Sequence, residues 1–290
     1  MQTAVLWRAT RAYSLPASVV PVLLGTVLAA RGYGTDSGRF DLLSFLIVLL
    51  GAILAHIGAN VLNDYFDFVK RIDTRPEHGS GVLTGGEMTA AQALKFAIVL
   101  FAGAGLCGLL LLRSHFATVA PLTTIGLGCA VFYSAVLKRY GFGDVLIIIA
   151  FGLGLTLGAF GVQTGALSLR ALLLIALYSL PICLLVDAIL HANNLRDARD
   201  DRTAHVRTLA TVLSPRAGQL WQRFLLFGPL LFVIAGVAFG LLPNWSLGTI
   251  AAFPFLLRAA RSGSVEGTAQ AHLVFGVLYT VSFLFRPVFL

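Results

Sequence analysis

Charged residues are scarce in this sequence. They make up 12% of its 290 residues, about half of the roughly 25% that is usual for a soluble domain. Hydrophobic residues make up 58% of the chain, and the mean hydropathy is +0.87. This composition excludes an ordinary soluble domain and indicates a polytopic membrane protein.

Cysteine is rare as well, and the basic residues do not cluster. Cys107, Cys129 and Cys183 lie singly inside apolar runs without metal-ligand spacing, so we interpret them as buried structural thiols. A net charge of +8 and a pI near 9.9 would suit nucleic-acid binding if the basic residues formed one patch, but they are spread over the short segments between apolar runs. We therefore expect a lipid bilayer, and no nucleic acid, among the partners.

Nine apolar runs are candidates for membrane-spanning helices, which need roughly 17 to 25 residues each. They predict an all-α polytopic membrane helix bundle that forms a single domain over residues 1–290. The eighth run is interrupted by Pro254 and ends near Arg258, so eight spans plus an interfacial segment is the alternative. The runs lie near residues 12–31, 42–63, 92–112, 116–136, 144–163, 170–192, 221–241, 246–260 and 271–288.

Lysine and arginine predict the orientation of these spans. Of the 21 basic residues, 16 fall on the side of the amino terminus and 5 on the other side. By the positive-inside rule the amino terminus is cytoplasmic, and so are the segments after the second and sixth spans. We expect a multi-pass protein of the cell inner (plasma) membrane. A signal peptide is the alternative for the first run, but its length and the charge alternation favour a span.

The second span ends in an unusually acidic stretch, "NDYFDFVKRID", which has three aspartates within residues 63–73. On a continuous helix, a polar stripe forms at i, i+4, i+7, i+8 and i+11. Each polar group would cost about 2.5 to 3.5 kcal/mol at the bilayer centre, so we expect the stripe to face an internal cavity. Its members are His56, Asn60, Asn63, Asp64 and Asp67.

The sixth span repeats the pattern in "LVDAILHANNLRDARDDRTAHVRTLA". Four helices separate the two acidic ends, so both are predicted on the cytoplasmic side, where they can face each other. The second stripe comprises Asp187, His191, Asn194, Asp197 or Ala198, and Asp201.

Opposed carboxylates repel unless a cation lies between them, and their oxygens are hard ligands of the kind that Mg²⁺ prefers. Mg²⁺ uses one or two carboxylates and completes its shell with waters and substrate phosphate oxygens, so a diphosphate is the expected ligand. Nearby basic side chains would neutralise the remaining charge. They are Lys70, Arg71, Lys138, Arg139, Arg196, Arg202 and Arg207.

Two other interpretations of these segments remain. The acidic helix ends could be ordinary solvated loops, in which Asp197, Asp200 and Asp201 pair with neighbouring arginines, but this does not explain polar residues inside the spans. The chain could also be a secondary transporter that relays ions or protons through Asp187, His191, Asn60 and His56. A transporter is expected to place its charges near the midplane, whereas these aspartates concentrate at one interface.

At these residues the chain resembles the UbiA superfamily of intramembrane prenyltransferases, whose two aspartate-rich motifs follow helices 2 and 6 of a nine-helix bundle. Residues 60–73, "NVLNDYFDFVKRID", resemble the first motif. Residues 193–209, "NNLRDARDDRTAHVRTL", resemble the second motif of the branch that prenylates 1,4-dihydroxy-2-naphthoate. "SLPASVVPVLLGT" at 14–26 and "YSAVLKRYGFGD" at 133–144 are further similarities, so the resemblance extends along most of the chain.

The resemblance implies roles for individual residues. Asn60, Asp64 and Asp67 would be magnesium and diphosphate ligands of the first motif, and Asp197 and Asp201 those of the second. Asp73 resembles a further acid of the first loop, which orients or deprotonates the aromatic acceptor. The implied substrate-binding residues are Asn60, Asn63, Arg71, Tyr133, Lys138, Arg139, Asp187, His191, Asn193, Asn194 and Arg207.

The chain departs from that branch at two places. Gly-Lys is usual shortly after the second motif, where this chain has His205 and Val206, and Arg-Pro is usual near the amino terminus, where it has Arg11 and Ala12. Arg207 is the candidate replacement for the missing lysine.

The implied reaction is the Mg²⁺-dependent transfer of a polyprenyl group from an allylic polyprenyl diphosphate to a small aromatic acceptor. In the favoured branch this belongs to menaquinone biosynthesis, while 4-hydroxybenzoate or homogentisate are alternative acceptors. An allylic carbocation forms on the way, and aromatic faces stabilise cations. Candidates for this role are Phe66, Phe132, Tyr133 and Phe142, although most phenylalanines of such a chain pack in the core.

Overall fold

The computed structural model describes residues 3–72, 79–135, 141–165 and 167–285, with the backbone alone for residues 127 and 129–135. The described residues form helices and turns and contain no β-strand. The all-α prediction is therefore confirmed for this part of the chain. The α-helices are α1 (Thr3–Ala9), α2 (Pro16–Ala30), α3 (Leu42–Val69), α4 (Ala90–Ala135), α5 (Gly143–Ile147), α6 (Leu155–Thr164), α7 (Leu169–Thr203), α8 (Leu209–Val212), α9 (Pro215–Ala238), α10 (Phe253–Ser262) and α11 (Val265–Ser282).

Several helix ends follow from local sequence. Asp41 accepts a hydrogen bond from the Ser44 amide at 2.9 Å and begins α3. Ser168 does the same for α7 through the Ala171 amide at 3.1 Å. Each side-chain oxygen satisfies an amide that has no partner within its helix.

Five described helical stretches are long and apolar enough to cross a bilayer, and a sixth is added if the bent pair at the amino terminus counts as one span. In that pair, Thr3–Ser14 and Pro16–Ala30 meet at 54°. Large apolar side chains such as Leu43, Leu109 and Leu231 are more than half exposed, as lipid-facing positions are. The chain is an integral membrane protein, and the count of nine spans and the orientation stay predictions.

The predicted spans match the helices unevenly. The third and fourth runs form one element, α4, which breaks at His115 (φ −135°, ψ 36°) between them. The fifth run contains a π-helical segment, Ile148–Gly154, between α5 and α6. The eighth run is a 3₁₀ segment, Asn244–Ala252, followed by the short helix α10, so no long α-helix occupies it.

Helix α2 lies in the core of the bundle and packs against α3, α6, α7 and α11. Val20, Leu24 and Leu28 on it are fully buried. Its approach to α6 is very close, because a Cβ at Gly25 would lie 2.1 Å from the Thr156 carbonyl oxygen. The amino-terminal part of the chain is thereby fixed against the elements that carry the polar stripes.

Candidate active site

The first polar stripe lies on α3 as predicted, because the helix continues to Val69 and keeps its residues in register. His56, Asp64 and Asp67 on it are buried. The amino-terminal segment covers the stripe: Ser14 Oγ lies 3.2 Å from His56 Nε2, and Ser18 Oγ lies 2.8 Å from Nδ1. These contacts fix the imidazole between α2 and α3.

Asn60 is also tied to the amino-terminal segment. Its Nδ2 donates to the Thr10 carbonyl at 3.2 Å and to Ser14 Oγ at 3.1 Å. Farther along α3, Asn63 Nδ2 donates to Asp67 Oδ2 at 2.9 Å. Asn60 thus connects α3 to the amino-terminal segment, whereas Asn63 orients Asp67 within α3.

Asp64 is held from two distant parts of the chain. The Arg11 guanidinium forms an ion pair with its Oδ1, and the two side chains are only 9% and 7% exposed. The Ser80 amide donates to Oδ2 at 3.0 Å. Arg11 takes this place with a left-handed backbone (φ 49°), which costs a non-glycine residue about 1 to 2 kcal/mol. The pair with Asp64 offsets that strain.

The second motif lies at the end of α7 and is held by its own neighbours. Arg196 donates from Nε to Asp197 Oδ1 and from Nη2 to Oδ2, both at 2.8 Å, a bidentate pair. Asn193 Nδ2 donates to Asp197 Oδ2 at 3.2 Å. Asp201 and Asn194 are both 2% exposed. The whole arrangement lies within about three turns of one helix.

A cavity with about 1020 Å³ of empty volume, its mouth included, lies between the two motif helices. Asn60 and Asn63 of α3 and Asn193 and Asn194 of α7 all line it. Three stripe residues, Asn60, Asn63 and Asn194, thus line one cavity together with Asn193. Arg11 joins them at this polar end, and His56 lines the cavity one helical turn away from Asn60 along α3. The apolar part of the lining comes from Leu146, Ile147, Ala150, Phe151, Val186, Ile189 and Leu190.

The electrostatics at the polar end favour an anion. Arg11 lines the cavity, and Arg196 donates from Nη2 at 2.8 Å to Asn193 Oδ1, whose residue lines the cavity from the second motif. Guanidinium groups bind phosphate oxygens in bidentate fashion, so both arginines are suited to bind an anion at this end. The cavity therefore suits an amphiphile with an anionic head and an apolar tail.

A second polar group lies behind the cavity wall. Asp187 and His191 are fully buried, and the residues before them, Val186 and Leu190, line the cavity. His191 contacts the Gly218 carbonyl through Nε2 at 3.1 Å, and its Nδ1 lies 3.9 Å from Asp144 Oδ1. Within the described structure, both Asp187 oxygens, Asp144 Oδ1 and His191 Nδ1 lack hydrogen-bond partners. Asp144 is an acid that sequence reasoning did not assign.

The side chains of the two acidic motifs supply the kind of oxygen donors that a divalent cation such as Mg²⁺ requires. Within the described ranges, no three His, Cys, Asp or Glu side chains lie close enough to hold a metal ion. Mg²⁺ needs only one or two carboxylates when substrate phosphates complete its shell. Asp64 and Asp197 each already accept from a guanidinium cation. None of the four predicted carboxylates is among the residues that line the cavity, but Asp64 and Asp197 are bonded to Arg11 and Asn193, which do line it. The oxygen donors of both motifs therefore lie next to the cavity, as such a site requires.

The other predicted residues lie at the margin of the site or outside the described structure. Arg71 and Arg207 are exposed, and neither lines the cavity. Asp73, Lys138 and Arg139 fall outside the described residues, as does the side chain of Tyr133. Their roles stay predictions.

Sequence reasoning missed several contributors. Ser14 and Ser18 are four residues apart on the first run, a spacing that places them on one helix face and was a usable signal. Ser80 acts through its amide, which no side-chain pattern reveals. Phe151 lines the cavity, but nothing in the sequence separates it from the other 20 phenylalanines.

Comparisons with known proteins agree with this geometry. Residues 18–285 match the model of the UbiA prenyltransferase family. The chain is 33% identical over 289 residues to the UbiA prenyltransferase domain-containing protein 1 homolog of Drosophila melanogaster, covering 94% of this chain and 77% of that protein. It is 27% identical over 295 residues to the 1,4-dihydroxy-2-naphthoate octaprenyltransferase of Bacillus subtilis, covering 97% and 92%.

The fold has a counterpart among solved structures. A UbiA homolog from Archaeoglobus fulgidus, solved bound to GPP and Mg²⁺, superposes with a TM-score of 0.65 at 11% identity. The match covers 97% of this chain and 98% of that chain. At this identity the likeness concerns the fold.

Proposed function

We propose that this protein transfers a polyprenyl group from an allylic polyprenyl diphosphate to a small aromatic acceptor, since the chain belongs to the UbiA prenyltransferase family. One observation carries the proposal: both acidic helix ends contribute asparagines to a single cavity that is polar at one end and apolar along its wall. The diphosphate would lie at the polar end and the hydrocarbon tail along the wall.

The metal in this proposal is Mg²⁺, which would be held by Asp64, Asp67, Asp197 and Asp201. The structural relative from A. fulgidus was solved with Mg²⁺ and GPP, and the donors of this chain are hard oxygens. When bound, the ion withdraws charge from the diphosphate leaving group. Asp73 would orient or deprotonate the acceptor.

The chain's own residues would then bind and orient the substrates. Arg11 and Arg196 would share the diphosphate oxygens, while Asn60 and Asn193 would donate from the cavity wall. The bond between the allylic carbon and oxygen breaks, and its electron pair leaves with the diphosphate. A ring carbon of the acceptor then forms the new carbon–carbon bond and loses its proton. No protein nucleophile takes part.

The acceptor that we favour is 1,4-dihydroxy-2-naphthoate, in menaquinone biosynthesis. The second motif supports it, and so does the similarity to the B. subtilis octaprenyltransferase along 97% of this chain. 4-Hydroxybenzoate and homogentisate are the competing acceptors. The membrane would be the cell inner membrane, with the cavity open to the cytoplasm, because 16 of 21 basic residues fall on that side of the predicted topology.

The test offers purified protein in nanodiscs a labelled polyprenyl diphosphate, Mg²⁺ and each aromatic acceptor in turn, with mass spectrometry of the products. We expect a prenylated naphthoate product that disappears reversibly on chelation. The Asp197→Asn variant, whose altered side chain is partly exposed, is the control for background transfer. Transfer to another acceptor alone would overturn the choice of naphthoate. Absence of transfer to every acceptor would overturn the proposed function.

A further inference from the structure

Of the four aromatic residues that the sequence suggested for cation stabilisation, Phe66 and Phe142 do not line the cavity, and the side chains of Phe132 and Tyr133 lie outside the described structure. Phe66 packs in a separate cluster with α1 and residues 82–88, and Lys70 lies over its ring. Phe142 is 54% exposed and does not line the cavity. In the described structure, the phenyl and phenol rings that line the cavity are those of Tyr13 and Phe151. Tyr13 follows Arg11 by two residues and belongs to the polar end.

Phe151 is presented by the π-helical segment Ile148–Gly154. Such segments are rare, because their hydrogen-bond geometry is unfavourable, and they concentrate at functional sites. Here the segment packs tightly on α7, since a Cβ at Gly152 would lie 2.5 Å from Cys183 Sγ. The residue next to Phe151 is therefore fixed against the second motif helix.

The ring of Phe151 is held from the other side by the first motif helix. Its centroid lies 4.9 Å from that of the His56 ring, and the two planes meet at 79°. His56 is itself fixed by the hydroxyls of Ser14 and Ser18. The phenyl ring therefore has a defined orientation at the cavity wall before any substrate binds.

Measured along the axis of α3, the Phe151 ring lies at the depth where the allylic carbon of a bound prenyl diphosphate is expected. His56, Asn60 and Asp64 follow one another at four-residue intervals, which corresponds to roughly 6 Å per step along a helix. A diphosphate bound beside Asn60 would place its allylic carbon about one step deeper, at the level of His56 and Phe151. On its own segment Phe151 is the lining residue farthest from the second motif, because Asp144 lies 3.9 Å from His191 while Gly152 packs against Cys183, about two turns deeper on α7.

We propose that Phe151 stabilises the allylic cation through its π-face, an assignment that rests on the proposed function. When the carbon–oxygen bond breaks and its electron pair leaves with the diphosphate, positive charge spreads over the first and third carbons of the allyl group. The negative face of the ring attracts that charge. The charge disappears when the acceptor ring supplies the electrons of the new carbon–carbon bond and releases its proton.

The test replaces Phe151 with 4-fluoro-, 3,5-difluoro- and 3,4,5-trifluorophenylalanine, which progressively weaken the negative potential of the ring with little change in size. Single-turnover rates with bound polyprenyl diphosphate report the chemical step. We expect the logarithm of the rate to fall linearly along the series, to about one-tenth to one-thirtieth of the wild-type rate for the trifluoro ring, since cation–π attraction is of this order. The KM for the diphosphate should stay nearly constant.

The matched control is the same series at Phe160, which is fully buried and does not line the cavity. There the rate should not vary. If the trifluoro protein does not fold, the monofluoro and difluoro variants supply the slope. A flat series at Phe151 in an active protein would overturn this inference and leave the proposed function standing. Absence of turnover in the unsubstituted protein would overturn the proposed function, and this inference with it.

Discussion

The two acidic helix ends are similar in sequence but are held in different ways. Asp64 on α3 is bound by Arg11, which lies 53 positions away, and by the Ser80 amide, 16 positions away. Asp197 on α7 is bound by the adjacent Arg196 and by Asn193. The Arg11 and Asp64 side chains are 9% and 7% exposed, whereas those of Arg196 and Asp197 are 32% and 16% exposed.

This difference means that the two motifs contribute differently to folding stability, although both are proposed to contribute to catalysis. The charges at the end of α3 are balanced by tertiary contacts with the amino-terminal segment and with residues 79–88. The charges at the end of α7 are balanced by contacts between neighbouring residues of the same helix, which form when the helix forms. We therefore expect changes at the first motif to alter both stability and catalysis, and changes at the second motif to alter catalysis alone.

The largest expected effect is on catalysis and should be shared by both ends. Asp64→Asn and Asp197→Asn each remove one charge from the proposed site, so turnover of an allylic diphosphate should fall about a hundredfold to a thousandfold. Only Asp64→Asn leaves a buried guanidinium without its ionic partner, so only that variant should lose thermal stability in detergent. The control is Asp36→Asn on an exposed loop. Near-wild-type turnover in both motif variants would refute the site.

The next effect concerns the arginines and should distinguish the two ends directly. Double-mutant cycles of Arg11→Gln with Asp64→Asn, and of Arg196→Gln with Asp197→Asn, give the coupling energies of the two pairs. We expect about 2 to 4 kcal/mol for the buried pair. The partly exposed pair should give less than about 1 kcal/mol, because water screens it. Equal couplings, measured by unfolding in detergent, would remove the contrast between the two ends.

A smaller effect is expected at the glycine-rich segment that covers Asp64. Gly79 has φ +61°, and a Cβ there would lie 2.6 Å from both Arg11 Nη2 and Asp64 Oδ1. Gly86 has φ +72° and open space around it. Gly79→Ala and Gly86→Ala should therefore share a backbone cost of about 1 to 2 kcal/mol. Only Gly79→Ala should also raise the KM for the diphosphate, and a similar rise in Gly86→Ala would exclude local crowding as the cause.

The smallest effect is expected at the ion pair between Arg8 and Glu87, which links α1 to the same segment at the surface. The hydrogen bond from Arg8 lowers the pKa of Glu87. The stabilisation from this ion pair is therefore fully present at a pH above the pKa of Glu87 in the unfolded chain. It is lost as the pH falls through the lower pKa of Glu87 in the folded protein. Glu87→Gln should shift the melting temperature at pH 7 by less than about 2 °C. A larger shift would show that this surface ion pair stabilises the fold about as much as the buried pair of Arg11 and Asp64.

The sequence predicted the part of this architecture that depends on periodicity. The stripe from His56 to Asp67 and the motif on α7 follow from helical spacing and the cost of polar groups in lipid. Arg11 and Ser80 could not be assigned, because their contacts with Asp64 depend on how distant segments fold over α3. The π-helical segment was also beyond prediction, since its composition is that of any apolar span, and Phe151 became a candidate only through the backbone around it.

The central position of α2 has a consequence for the order of synthesis. This helix leaves the ribosome before the other long helices, yet α6, α7 and α11, which enclose it, are translated later, and α11 ends at Ser282. A Cβ at Gly276 of α11 would lie 2.4 Å from Val20 Cγ1 of α2, so this contact is close and cannot form before α11 has been translated. Until then α2 must remain in the membrane without its final neighbours. The bundle can therefore close around α2 only after α11 has been inserted.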